Sequence, residues 1–318
     1  MSLTSAGDFW KKFFENLVIG GSFFFVFISG FLFHHVFYHK FEYGSFLRKK
    51  FANVVLPYLF LGGSLDFLRV YVFMDHQLDY DSLFLWGRWL ISGNFMLAYW
   101  YIPFVFCIYL LSPFFISYIE SRFRVQLSWL VFFVLVSLFV HRPEAANTYE
   151  VAVLHNLLYF SSVYLLGIAV ALYRKELFSF LAGRELWFLA AGLCAAAIET
   201  FNGKSGNYSK DIWAYEGVDW QYVQKFFLCF FYLSLFKKYA RPDWFLLNKV
   251  ATTSFGIFFI HPILLMLLLK LPFDQDFYRL NGIGSVFIVA FLVLGASMGI
   301  ALLIKKFIPR YSRNLIGY

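Results

Sequence analysis

Apolar side chains in this chain come in long runs rather than in the short alternations of a soluble fold. Nine runs approach the length that crosses a bilayer, about 20 residues in a helix. They lie at 17–38, 51–73, 96–119, 125–140, 153–173, 186–199, 220–236, 250–269 and 285–304, the fourth, sixth and seventh being short. The pattern predicts a single all-α polytopic bundle over residues 17–310, preceded by a tail at 1–16. Between the second and third runs, residues 81–91 are too mixed to span. Their Trp86, Arg88 and Trp89 suit a helix or a re-entrant piece lying at the membrane interface. The longest polar stretch is only 200–219, and no internal repeat is visible.

Composition narrows the reading further. Of 318 residues, 61% are hydrophobic, 24% aromatic and 14% charged. A soluble domain carries about 25% charge, so both a soluble globule and a disordered chain are excluded. Cys107, Cys194 and Cys229 sit inside apolar runs and form neither a disulfide framework nor a metal-ligand spacing. The net charge of +8 sorts by membrane side. Alternate connections hold 17 of the 27 basic residues: Lys40, Arg48, Lys49, Lys50; Arg122, Arg124; Arg174, Lys175, Arg184; Lys237, Lys238, Arg241, Lys249; Lys305, Lys306, Arg310, Arg313. That excess marks the cytoplasmic face and places the C-terminus inside. The basic bias is then topological, and nucleic acid is not expected as a partner. Nine spans put the N-terminus outside, as a chain begun after the loss of one preceding helix would also do.

Ionisable groups in or beside the spans are costly to bury and are the first candidates for chemistry. His261 is the deepest, about 18 Å past Lys249 at 1.5 Å per residue, and Pro262 beside it predicts a bend. It reads either as a neutral core histidine or as a functional group, a proton acceptor or one that positions an acyl carbonyl. His34 and His35 close the first run, and Arg48, Lys49 and Lys50 follow. That cluster reads as topology and snorkelling, or as a phosphate site for a cytosolic nucleotide-bearing coenzyme. On the other side lie Asp66 and Arg69, one helical turn apart, with Arg88, Trp100, His141, Arg142, His155 and Glu199. Asp66 with Arg69 forms an intrahelical pair, or with the aromatic rings part of a surface that holds a sugar. No catalytic triad order, glycine-rich phosphate loop or metal-ligand spacing is present.

Three stretches carry a resemblance. They are Gly20-Gly-Ser-Phe-Phe-Phe-Val-Phe-Ile-Ser-Gly-Phe-Leu-Phe33, followed by Phe46 to Phe60 with its Leu56-Pro-Tyr58; then Tyr99-Trp-Tyr-Ile-Pro-Phe104 running to Leu110-Leu-Ser-Pro113; and Thr253-Ser-Phe-Gly-Ile-Phe-Phe-Ile-His-Pro262. In this order and spacing they resemble the acyltransferase-3 family of integral membrane acyltransferases. The resemblance implies a ten-helix bundle with both ends in the cytoplasm. It also implies transfer of an acyl group, most often acetyl from acetyl-CoA, to a hydroxyl of a surface or exported glycan or related acceptor. The expected location is the inner or plasma membrane, with lipid and the acceptor as partners and no metal. The family's first helix and its catalytic His have no counterpart here. Its Arg-x-x-Arg pair falls on Lys50 and Asn53.

On that resemblance, Arg48, Lys49, Lys50 and Asn53 bind the donor, and Ser29 and Gly30 admit its acyl arm. Trp100, Tyr101, Asp66 and Arg69 meet the acceptor, and His261 is the catalytic group. The alternative is a catalytically inactive remnant, or a membrane protein that binds or moves a glycan.

Overall fold

The structure is a computed structural model that describes residues 6–71, 83–93, 96, 98–143, 152–204, 209–210, 214–241, 243–269 and 274–318. Its helices, in chain order, are α1 (Ala6–Val18), α2 (Ser22–Leu32), α3 (Tyr43–Lys50), α4 (Leu56–Tyr71), α5 (Leu83–Ser92), α6 (Tyr101–Leu110), α7 (Ser112–Glu120), α8 (Phe123–Val140), α9 (Ala152–Leu172), α10 (Arg174–Leu181), α11 (Glu185–Phe201), α12 (Trp220–Tyr239), α13 (Phe245–Leu269), α14 (Asp274–Phe307) and α15 (Ser312–Ile316). Wider π turns extend α2 over Phe33–Phe37 and α3 over Phe51–Val55. Strand pairing among the described residues is a two-residue contact of Arg142–Pro143 with Ser209–Lys210.

Each of the nine predicted runs is helical over most of its described residues, and the chain is an all-α polytopic membrane protein. Five helices are long and apolar enough to cross a membrane. The number rises to seven if the bent pairs α6 with α7 and α10 with α11 each make one span. The prediction of nine differs at 51–73 and 220–236. Lys225 and flanking glutamines dilute the apolar character of α12, and the described part of the second run is partly a π turn. Residues 6–16 are also not a tail. They form α1, whose Phe9 ring packs 4.9 Å from Phe201 of α11, and Asn16 at its end is fully buried. The described part of the 81–91 segment is helical, from Leu83 onward, as α5.

The chain forms two compact units, residues 1–43 with 110–240 and residues 44–109 with 241–318. In the first, α9 is central: 72% of its apolar window is buried against 11% for α8. An exposed face of Val131, Phe132, Leu135 and Phe139 on α8 is what a lipid-facing helix presents, since lipid tails solvate it. Helices α2 and α9 meet through glycines. A Cβ at Gly30 would stand 2.1 Å from the Tyr164 carbonyl, and one at Gly167 2.2 Å from the Phe27 carbonyl. Such small-residue contacts let backbones touch where lipid offers no hydrophobic drive. Polar side chains tie the neighbours together. The Ser137 Oγ lies 2.6 Å from Ser162 Oγ, to which Tyr222 also donates at 2.8 Å, linking α8, α9 and α12. Gln126 donates to the carbonyls of Tyr118, Ile119 and Ser121 at 3.0–3.1 Å, closing the end of α7.

In the second unit, α13 and α14 pack along each other, and the short α15 returns onto them. Ile316 is buried with Ile260 and Ala301. Gly317, at φ 73°, ends α15 in the left-handed region, and a Cβ there would meet the Phe255 ring at 2.2 Å. Only glycine fits both conditions. Tyr99 donates to the Phe259 carbonyl at 2.9 Å and Tyr58 to the Leu90 carbonyl at 2.7 Å, so buried hydroxyls are satisfied by backbone.

Candidate functional site

The second unit holds most of the predicted site. Helix α3 ends in Arg48, Lys49 and Lys50. The first two are exposed, and Lys50 turns inward. Its Nζ stands 4.8 Å over the Tyr109 ring and 5.5 Å over Phe46, an arrangement in which ring faces attract a cation. Burial, aided by the like charge of Arg313, pushes the Lys50 ammonium down to about 8. Asn53 is half-buried in the π turn that follows. A turn of this kind widens the backbone locally and often marks a working site.

His261 lies within α13, which continues through Pro262. Proline has no N–H to give the carbonyl four residues back, so the Phe258 carbonyl loses its helical partner. The imidazole fills that gap. Its Nδ1 donates to the Ile257 carbonyl at 2.9 Å and also lies against the Phe258 carbonyl. A carbonyl only accepts, so Nδ1 carries the proton and Nε2 keeps a lone pair, the state a base needs. The helix continues through Pro262 as far as Leu269.

An aromatic line joins these two places. Lys50 sits over Tyr109, and Tyr109 is within electrostatic reach of Tyr101. The Tyr101 ring lies 5.7 Å from Phe258, and Phe258 lies 6.3 Å from His261. From Tyr101 to Tyr109 is about 12 Å along α6. Lys50 thus meets one end of α6 at Tyr109, and the Phe258–His261 pair meets the other at Tyr101, about 12 Å away. Tyr101 is only 4% exposed, so its ring is a core element and offers no stacking face for a sugar. The half-buried Trp100, 6.2 Å from it, is the aromatic that remains for that purpose. Asp66 and Arg69 lie along α4, and their side chains fall outside the described residues.

Ser29 and Gly30 belong to the first unit. The Ser29 hydroxyl donates to the Phe25 carbonyl of its own helix at 2.9 Å, and the face of Gly30 is occupied by α9. The opening expected there for an acyl arm is filled by helix packing.

The first unit also gathers polar groups that the hydropathy pattern did not put together. Lys225, in the aromatic run of α12, donates to the Asn16 and Leu17 carbonyls at 3.2 and 2.9 Å. It thereby closes α1 ahead of the turn at Gly20, φ 87°. Asn16 donates to Thr200 at 3.0 Å. Arg142, half-buried over the Phe160 ring at 5.7 Å, lies within charge reach of Asp219 and Tyr159, and desolvation lowers its pKa. Asp219 caps α12 by accepting from the Tyr222 N–H at 2.8 Å. Burial raises its carboxyl, while His141, 3.7 Å away, opposes that. A cavity of about 10 Å³ between Arg142 and Lys225 has room for one water. Two cations, a carboxylate and a capped helix end in so little space make a structural knot. The signal that could have found it is Lys225 itself, an intramembrane cation amid phenylalanines.

The acyltransferase-domain model of the acyltransferase-3 family matches residues 7–304. No curated protein and no solved structure matches. That match, over most of an all-helical membrane chain, shows that the chain belongs to the acyltransferase-3 family of membrane acyltransferases.

Proposed function

We propose that the chain moves an acetyl group from acetyl-CoA on the cytoplasmic side to a hydroxyl of a surface or exported glycan. The observation that carries this reading is the line Lys50, Tyr109, Tyr101, Phe258, His261. A cationic mouth fits the nucleotide phosphates. The separation of about 12 Å between Tyr109 and Tyr101 is a length that an extended pantetheine arm covers. A histidine with a free lone pair stands at the inner end.

In this account the acceptor oxygen attacks the thioester carbonyl carbon as its proton passes to His261 Nε2. The carbon–sulfur bond then breaks, and the thiolate takes up that proton, leaving coenzyme A thiol and an ester. Lys50 binds the donor, and Trp100 lies on the acceptor's path. The remnant reading draws on Lys50 and Asn53 standing where the family has two arginines, since an ammonium and an amide lack the guanidinium fork.

The test is transfer of radiolabelled acetyl from acetyl-CoA by membranes containing the full chain, read as alkali-labile label on glycan. Wild type transfers. His261→Ala falls by about 100-fold or more, the range of a lost general base, and Lys50→Ala raises KM for acetyl-CoA. No transfer by wild type favours the remnant reading, and unchanged transfer in both variants removes the site assignment.

A further inference from the structure

The C-terminal helix, which carries Arg313, is docked against the turn that follows Lys50. Ser312 and Ile316, one turn apart on α15, are 2% and 3% exposed. Gly317 seats the end of that helix against Phe255 and Phe259, and its N–H donates to the Arg313 carbonyl at 3.0 Å. Arg313, next to the buried flank of α15, stays exposed. Helix α15 packs on the Phe51–Val55 turn, directly after Lys50, and on α4. Arg313 is close enough for its charge to act on Lys50.

Two like charges repel, and this fold brings them together through contacts made by other residues. The segments that meet here add to the positive field. No Asp or Glu lies between Glu42 and Asp66, or anywhere after Asp276. Lys305, near the end of α14, stands 4.0 Å over the Tyr318 ring beside α15. A site that concentrates cations in this way attracts a polyvalent anion.

We propose that Arg313 and Lys50 form a two-cation clamp for one phosphate group, that of the nucleotide portion of the thioester donor. This rests on the donor reading given above and adds to it a residue from the far end of the chain. A phosphate monoester carries about −1.5 to −2 charge, which one guanidinium and one ammonium balance. The guanidinium contributes the planar two-pronged donor that Lys50 and Asn53 lack. Because α15 is fixed by Ile316 and Gly317, little ordering is needed when the anion arrives.

The test measures binding of adenosine 3′,5′-bisphosphate, which has the phosphates without the thioester, to the full chain in phosphatidylcholine nanodiscs. Wild type binds. Arg313→Gln and Lys50→Gln each weaken binding by about 10-fold or more, the loss of one charged hydrogen bond. The double variant loses less than the product of the two. Arg313→Lys falls between wild type and Arg313→Gln, because charge persists and the fork does not. Arg310→Gln, which removes a neighbouring cation, stays within about twofold, as screening of an exposed charge predicts.

If Arg313→Gln behaves like Arg310→Gln while Lys50→Gln weakens binding, Arg313 is no part of the site and the donor reading stands. If wild type does not bind the probe, the donor reading falls and takes the clamp with it. If phosphatidylglycerol in the nanodisc displaces the probe, and Arg313→Gln lowers capture of that lipid instead, the phosphate held is a headgroup's and the proposal is overturned.

Discussion

Gly30→Ala separates two uses of one glycine. A Cβ there would lie 2.1 Å from the Tyr164 carbonyl oxygen. Ordinary contact begins near 3.4 Å, so α2 and α9 must part by about 1.3 Å or deform. The obstacle is backbone on a central helix, which places the overpacking at the upper end of its usual range, about 3 kcal/mol. Alanine's better helix propensity returns about 1 kcal/mol. The net loss of about 2 kcal/mol lowers Tm by about 4–8 °C for a body the size of the first unit. Gly63→Ala is the control. It lies within α4, nothing stands within 4 Å of the added carbon, and only the propensity gain of about 1 kcal/mol applies. Thermal unfolding of the purified chain in one detergent, followed by the loss of the monodisperse peak, measures both. An unchanged Tm for Gly30→Ala with acyl transfer abolished would refute the packing argument and restore the expected opening for an acyl arm.

Three further outcomes follow from the geometry. Lys50 titrates near 8, so its folded pKa is depressed and it binds an anion fully only below that value. Affinity for adenosine 3′,5′-bisphosphate falls by up to about 10-fold from pH 7 to pH 9, less if the bound anion holds the proton, and Lys50→Arg removes the dependence. Lys225→Met leaves the Asn16 and Leu17 carbonyls without their ammonium donor. It destabilises by about 1–3 kcal/mol, seen as a lower Tm and faster proteolysis of residues 6–18. Gly317→Ala must enter the left-handed region and meet the Phe255 ring. It releases α15 at a cost of about 1–2 kcal/mol from the backbone alone, and carboxypeptidase digestion of the full chain then reaches past Ile316.

The hydropathy pattern located every long helix because a bilayer requires unbroken apolar length. It misjudged residues 6–16, where the Lys11, Lys12 and Glu15 charges mask an amphipathic face that packs through Phe9 and Phe13. Helices α13 and α14 begin before their apolar runs, at Phe245 and Asp274, since backbone hydrogen bonding continues past the point where hydropathy ends. His261 could be singled out as an ionisable group at unusual depth, and Lys50 as one of a basic cluster at the membrane face. The aromatic line between them could not, because it depends on α6 and α13 meeting across 160 residues of chain, as the Tyr99 to Phe259 bond does. Tyr101 looked like a sugar platform in one dimension and is a core ring in three. Arg313 read as one more cytoplasmic charge, and only the return of α15 onto the Phe51–Val55 turn brings its charge within reach of Lys50.

The central claim is that a thioester entering at Lys50 gives up its acyl group to an alcohol near His261. Base-released acetate from the host's surface glycan tests it most directly, in cells with the gene, without it, and with it carrying His261→Ala. The account predicts ester-linked acetate only in the first. Equal acetate in all three would contradict it.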